Sequence, residues 1–240
     1  MLILAIDTST RTGSAALLCD SEVLAEISGY EETPYSSRLF RDIADLQRKV
    51  VFQLDQVDLF AVASGPGSFT GLRVGLTAAK AWAEVHRKPI AAISGLEAIA
   101  SEVLEGTGAL EPNATLIAPF LDARRGQVFG GIYRVRTNGD AGLVLAGDES
   151  ILSIDEFLES VKGKSDPSTV LVSPTPDAIP ASRLGQALPG SRVVQVSAAL
   201  APTIGRLGFQ KAQRGEVLDS IRLDANYVRR SDAESAWKDG

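Results

Sequence analysis

Two short turns hold most of the residues that could carry chemistry. Asp7-Thr8-Ser9-Thr10 follows an apolar run. An acid with hydroxyl neighbours at the end of a strand is what a kinase uses to hold hydrated magnesium and wrap ATP phosphates. The glycine common in such turns is missing, and the second half carries no second phosphate turn or adenosine-binding glycine pair. Satisfying backbone donors within the turn is therefore the preferred role of Asp7, Thr8 and Ser9, which are the only candidates for nucleotide binding. The other turn, Gly65-Pro66-Gly67-Ser68, opens a helical pattern. Backbone N–H groups at a helix start attract anions, but the Walker lysine is absent and a structural turn is expected. Ser68 does not sit in a Gly-x-Ser-x-Gly elbow, and the one histidine, His86, is remote from it. A two-metal nuclease needs converging carboxylates; Asp7 would be the first, but the central strand ends in Ala63-Ser64 where another acid is needed. A single histidine also excludes a histidine-based metal centre. Arg124 and Arg125 read as solvated turn charges, with a phosphate or partner contact as the minority reading. No catalytic residue and no metal ligand are expected.

The elements that position these turns follow from patterning. Residues 2–6 read as a buried strand, and 13–18 with 23–27 as a hairpin. After Pro34 a helix begins near Ser36 or Ser37, with Leu39, Ile43, Leu46 and Val50 on its apolar face. Residues 57–62 form the central strand, and the glycine turn leads into a helix capped by Ser68 or Thr70 and running to about Val85. Gly71, Gly75, Ala79 and Ala83 leave one side of that helix without bulk, while Arg73, Thr77, Lys80 and Glu84 make a narrow polar stripe. Each interior glycine costs roughly 1 kcal/mol against alanine, so close packing must offset two of them. A strand at 90–93 and a helix at 95–104 complete an order typical of a mixed sheet with helices on its faces, as in the ribonuclease-H-like unit.

Residues 106–113 read as a linker. Strands at 116–121 and 127–135 follow, then a third at 143–145, a short helix near 154–161 and a strand at 170–172. Residues 173–190 read as loop, and a last helix spans about 198–214. The expected domains are 1–105, a ribonuclease-H-like subdomain, and 106–240, a reduced second copy whose last helix packs back on the first. Of 240 residues, 45% are hydrophobic and 22% charged, as in an ordinary globular protein. The net charge of −6 provides no basic field for nucleic acid. The one cysteine, Cys19, reads as core filler in a reducing compartment, and no apolar stretch is long enough for a membrane span. A cytoplasmic protein is expected.

Four segments in order resemble the TsaB (YeaZ) family: Ile3-Leu4-Ala5-Ile6-Asp7-Thr8-Ser9, the Gly65–Gly75 stretch, Leu121-Asp122-Ala123-Arg124-Arg125-Gly126-Gln127-Val128-Phe129, and Tyr227-Val228-Arg229-Arg230. The resemblance implies an α/β, actin/sugar-kinase-like duplicated fold. It also implies work in making threonylcarbamoyladenosine beside the anticodon of tRNAs reading codons that begin with A. In that system the family is a non-catalytic partner of a TsaD-type subunit, which holds the metal and transfers the group, and a TsaE-type ATPase supports turnover. Gly95 and Ile99 stand where TsaD-like chains place two metal-ligating histidines, and neither can ligate.

The expectation is an inactive partner whose interface is the helix pair, carried by Leu39, Ile43, Leu46, Phe69, Gly71, Leu72, Arg73, Gly75, Leu76 and Ala79. The missing bulk at Gly71 and Gly75 would let a partner helix approach, and a bulky Gly75→Leu would block pairing while the sheet still folds. The same helices could pair two copies of the chain. ATP or ADP is expected only at an interface shared with the partner, and tRNA only through the complex. The alternative is an ATP-dependent phosphotransferase or carbamoyl-type transferase acting by itself.

Overall fold

Strand β1 (Leu2–Asp7) is buried on both faces from Ile3 onward, which a strand achieves only when covered from above and below. The computed structural model describes residues 1–29, 35–105, 115–136, 142–164 and 169–226. Around β1 lie β2 (Ser14–Cys19), β3 (Glu22–Ser28), α1 (Tyr35–Lys49), β4 (Leu59–Gly65), α2 (Phe69–His86) and β5 (Ile90–Ser94), with a short 3-10 turn at Leu54–Gln56, and α3 (Gly95–Glu105) follows β5 in the chain. The sheet order is β3-β2-β1-β4-β5. β1 runs antiparallel to β2 and parallel to β4, and β4 runs parallel to β5. Leu4, Ile6, Leu17, Phe60 and Val62 on one face pack with Leu39, Ile43 and Leu46 of α1 and Leu72, Leu76 and Trp82 of α2.

The rest of the chain supplies β6 (Leu116–Arg124), β7 (Gln127–Gly130), β8 (Tyr133–Arg136), β9 (Gly142–Leu145), β10 (Ser150–Ser153), α4 (Ile154–Gly163), β11 (Val170–Ser173), α5 (Ala181–Ala187), β12 (Val193–Gln195) and α6 (Ala201–Gln213). The main sheet path is β10-β7-β6-β11-β12, with β8 pairing the first residues of β6 and β9 pairing β8. Its core gathers Phe120, Val128, Phe157, Leu158 and Leu171. Two compact units result, Met1–Gly95 with Ala198–Gly240, and Leu96–Ser197. The first therefore ends ten residues before the expected cut, and α6 belongs to it. In that unit α6 covers the sheet face opposite α1 and α2. A Cβ on Gly208 would lie 2.8 Å from the Ala61 methyl, so glycine sets how closely this helix approaches β4.

The two sheets repeat one topology: β3-β2-β1-β4-β5 maps onto β10-β7-β6-β11-β12, and the β8–β9 hairpin is an insertion. The second copy keeps all five strands but shortens several elements: α5 has 7 residues where α2 has 18, α4 has 10 where α1 has 15, and β10 and β12 are shorter than β3 and β5.

Several sequence expectations are corrected. The 127–135 strand breaks into β7 and β8 at Gly131-Ile132, where pairing passes from β10 to β9. The 173–190 stretch contains a 3-10 turn at Pro176–Ala178 and helix α5. Its prolines border the helix, with Pro180 at the N-cap, so they do not interrupt it. β10 and β12 have only four and three residues and lack alternation, which hides them from pattern reading. The central strand starts at Leu59 and runs through Gly65. Cys19 is an exposed free thiol at the end of β2, not core filler. The 106–113 linker and the Tyr227-Val228-Arg229-Arg230 segment lie outside the described residues.

Candidate functional site

β1 delivers Asp7, Thr8 and Ser9 into a turn that is at most 2% exposed. Asp7 Oδ1 accepts from the Ser9 backbone N–H at 2.8 Å and from Ser9 Oγ at 2.6 Å. Asp7 Oδ2 is buried without a hydrogen-bond partner. Burial pushes the Asp7 carboxyl above its ordinary value, with the two Ser9 bonds opposing the shift.

Two bonds tie this turn to α2 and its N-cap, while the Ser9 hydroxyl is spent on Asp7. Thr8 Oγ1 donates to the Gly71 carbonyl at 2.7 Å, and the Ser68 N–H donates to the Ser9 carbonyl at 2.8 Å. A Cβ on Gly67 would lie 2.6 Å from that Ser9 oxygen, one on Gly71 would overlap the Thr8 carbonyl oxygen, and one on Gly75 would overlap Thr8 Oγ1. The small-residue side of α2 thus faces its own chain. This corrects the expectation that Gly71 and Gly75 admit a foreign helix: the missing bulk is filled by the turn after β1.

Ser68 caps α2, accepting from the Gly71 N–H at 3.3 Å. His86 lies at the far end of the same helix, about 27 Å away at 1.5 Å per residue. Ser68 and His86 therefore cannot form a nucleophile–base pair within this chain. Among the described residues no three His, Cys, Asp or Glu side chains gather where a metal could sit. None of the described helices is long and apolar enough to cross a membrane.

Of the ten residues expected at the interface, Leu39, Ile43, Leu46, Gly71, Leu72, Gly75, Leu76 and Ala79 are buried within the first unit. They are core, because the amphipathic faces of both helices lie on the sheet. Phe69 is half-buried and Arg73 is exposed, its guanidinium carbon 3.9 Å from the Phe69 ring centroid.

The outward side holds residues that sequence reasoning missed. Phe40 is 64% exposed and meets Trp82 of α2 edge-on at 6.3 Å. Val85 is 74% exposed, and Ala44, Thr77 and Ala81 also face solvent. The signal was present. Phe40 is an aromatic one step off the Leu39–Ile43–Leu46 stripe, and α2 has more apolar residues than one buried side can take. Arg124 and Arg125, both exposed, close the β6–β7 turn with φ of 63° and 55°. Asp122 Oδ1 accepts the Arg124 N–H at 2.7 Å, repeating on β6 what Asp7 does after β1.

Residues 32–167, more than half of the chain, match the family described as TsaD: tRNA N6-adenosine threonylcarbamoyltransferase. The tRNA threonylcarbamoyladenosine biosynthesis protein TsaB of Bacillus subtilis is 33% identical over 99% of this chain and 98% of its own. A crystal structure from Pseudomonas aeruginosa, described as an uncharacterized protein with similarity to peptidase YEAZ, superposes with a TM-score of 0.70 at 26% identity, covering 95% of this chain and 99% of that one. The ROK hexokinase of Thermus thermophilus, at 11% identity and a TM-score of 0.50 over 88% of this chain and all (100%) of its own, shares the fold alone. Similarity at 33% identity over nearly the whole of one relative, the matching YeaZ architecture and the duplicated topology lead to one assignment: the chain belongs to the TsaB (YeaZ) family.

Proposed function

We propose that this protein serves tRNA threonylcarbamoyladenosine synthesis as the non-catalytic partner of a TsaD-type subunit, which docks on the outward side of α1 and α2. The observation that carries the reading is Phe40, an aromatic ring 64% exposed on the seam between the two helices, with Val85 exposed farther along α2. An aromatic anchor within an apolar patch is the usual centre of a protein interface. The TsaD likeness of residues 32–167 includes both helices, so the partner would bring a related helix pair, and two such pairs would meet as four helices.

The same surface would pair two copies of this chain when the TsaD-type subunit is absent. The chemistry then belongs to the partner, with a TsaE-type ATPase supporting turnover in the cytoplasm. Burial of Asp7, Thr8 and Ser9 and the Thr8 bond to Gly71 support a reading in which any ATP or ADP would be held jointly with the partner. With a net charge of −6, this chain would meet tRNA only through the assembled complex.

Reconstitution tests the reading. The chain, a TsaD-type subunit and a TsaE-type ATPase from the same genome are combined with tRNA and substrates, omitting one component at a time. Modified tRNA should require all three, and the chain alone should not turn over ATP. ATP turnover by the isolated chain that disappears in Asp7→Ala would instead make it an enzyme acting by itself.

A further inference from the structure

We infer that the C-terminal strap, residues 216–226, forms a second wall of the partner-binding face and that its Ile221 contacts the TsaD-type subunit; this rests on the docking reading above. The strap is fixed at both ends. Leu218 and Ile90 exchange backbone hydrogen bonds of 2.8 Å each, and the Asn226 N–H donates to the Ser64 carbonyl at 2.7 Å. Between these points Leu223 is buried in the core of the first unit. Ser220 Oγ donates to the Glu84 carboxylate on α2.

Trp82 and Glu84 leave α2 on nearly opposite sides, since successive residues turn by about 100°. Phe40 on α1 and Ser220 on the strap therefore flank the solvent side of α2, and Val85 projects between them. Ile221 follows Ser220 directly and is 87% exposed. The turn that holds it is built: Asp219 Oδ1 accepts the N–H groups of Ile221 at 3.0 Å and Arg222 at 2.8 Å. Phe40, Val85 and Ile221 thus form one interrupted apolar path across α1, α2 and the strap, longer than a helix pair alone offers. A partner seated on Phe40 and Val85 would reach the strap beside Glu84.

The test measures the dissociation constant of the full chain for the TsaD-type subunit, for wild type, Phe40→Asp and Ile221→Asp, with thermal unfolding as the fold control. Both side chains are mostly in water, so both variants should unfold with wild type. Ile221→Ser, which adds no charge, provides a second reading. Phe40→Asp should weaken binding by about thirtyfold and Ile221→Asp by at least about fivefold. A loss for Phe40→Asp with both Ile221 variants within twofold of wild type, on the order of 0.4 kcal/mol, overturns the strap inference and leaves the helix-face reading standing. No loss for Phe40→Asp overturns the helix-face reading, and the strap inference with it.

Discussion

Gly71, Gly75 and Thr8 form a single packing unit in which two glycines give up helix propensity for contact with a turn. Alanine at Gly75 should gain roughly 1 kcal/mol of intrinsic propensity. Its Cβ would overlap Thr8 Oγ1, which is held by its bond to the Gly71 carbonyl. Overpacking of this kind costs about 1–3 kcal/mol, so Gly75→Ala should be net destabilising. In a Thr8→Ala background the same change should become neutral or stabilising. A double-mutant cycle from urea unfolding measures this coupling, and additive effects would contradict the contact. Gly71→Ala, directed at a backbone oxygen that cannot rotate away, should be the worse single change and should not be rescued by Thr8→Ala.

Asp7 supports a separate prediction at this scale. Its folded pKa is raised above the ordinary 3.8, so the native state holds this proton more tightly than the unfolded chain does. As pH rises past about 4 the unfolded chain ionises first, and the Asp7 contribution to stability falls until the native carboxyl also titrates. Asp7→Asn keeps an oxygen to accept from Ser9 and removes the titration. Its urea midpoint relative to wild type should therefore rise between about pH 4.5 and about pH 7.5, and a constant difference would contradict a buried, destabilised carboxylate.

At the scale of elements, the α1–α2 pair shows where pattern reading succeeds and where it stops. The four-three-four spacing of Leu39, Ile43, Leu46 and Val50 locates α1 to within a residue or two, and Ser68 was among the caps expected for α2. Periodicity says which residues share a side, not what covers that side. Here the sheet and the β1 turn cover the stripe that looked available, and the available side is the one bearing Phe40 and Val85. Substitutions should sort accordingly. Gly75→Leu, attractive from sequence as a clean block to pairing, should unfold or strongly destabilise the first unit, as thermal melting can report. Phe40→Asp should leave the melting temperature within a few degrees of wild type, as exposed positions usually do. Equal destabilisation by both would mean that Phe40 is not on the surface described.

Across the whole molecule, duplication explains what was legible. The first copy has long elements with clean strand–helix alternation, so its order could be read from residues 1–105. The second repeats the same strand order, but the β8–β9 insertion, two strands of three and four residues and a seven-residue α5 blur the pattern. Pairing in a sheet is settled by partners distant in sequence, so β10 and β12 carry little local signal. The membership of α6 in the first unit also depends on long-range packing through Gly205 and Gly208. The molecule that results has the turn after β1 packed against the glycines of α2, and Phe40 and Val85 displayed on the outer side of the helices.

Docking of the TsaD-type subunit on this outer side, as proposed, is open to a co-purification experiment. Phe40→Asp/Val85→Asp should be expressed with a tagged TsaD-type subunit from the same genome, beside a wild-type control. The double variant should fold, fail to co-purify and fail to support tRNA modification. A folded double variant that co-purifies at wild-type yield would contradict that docking.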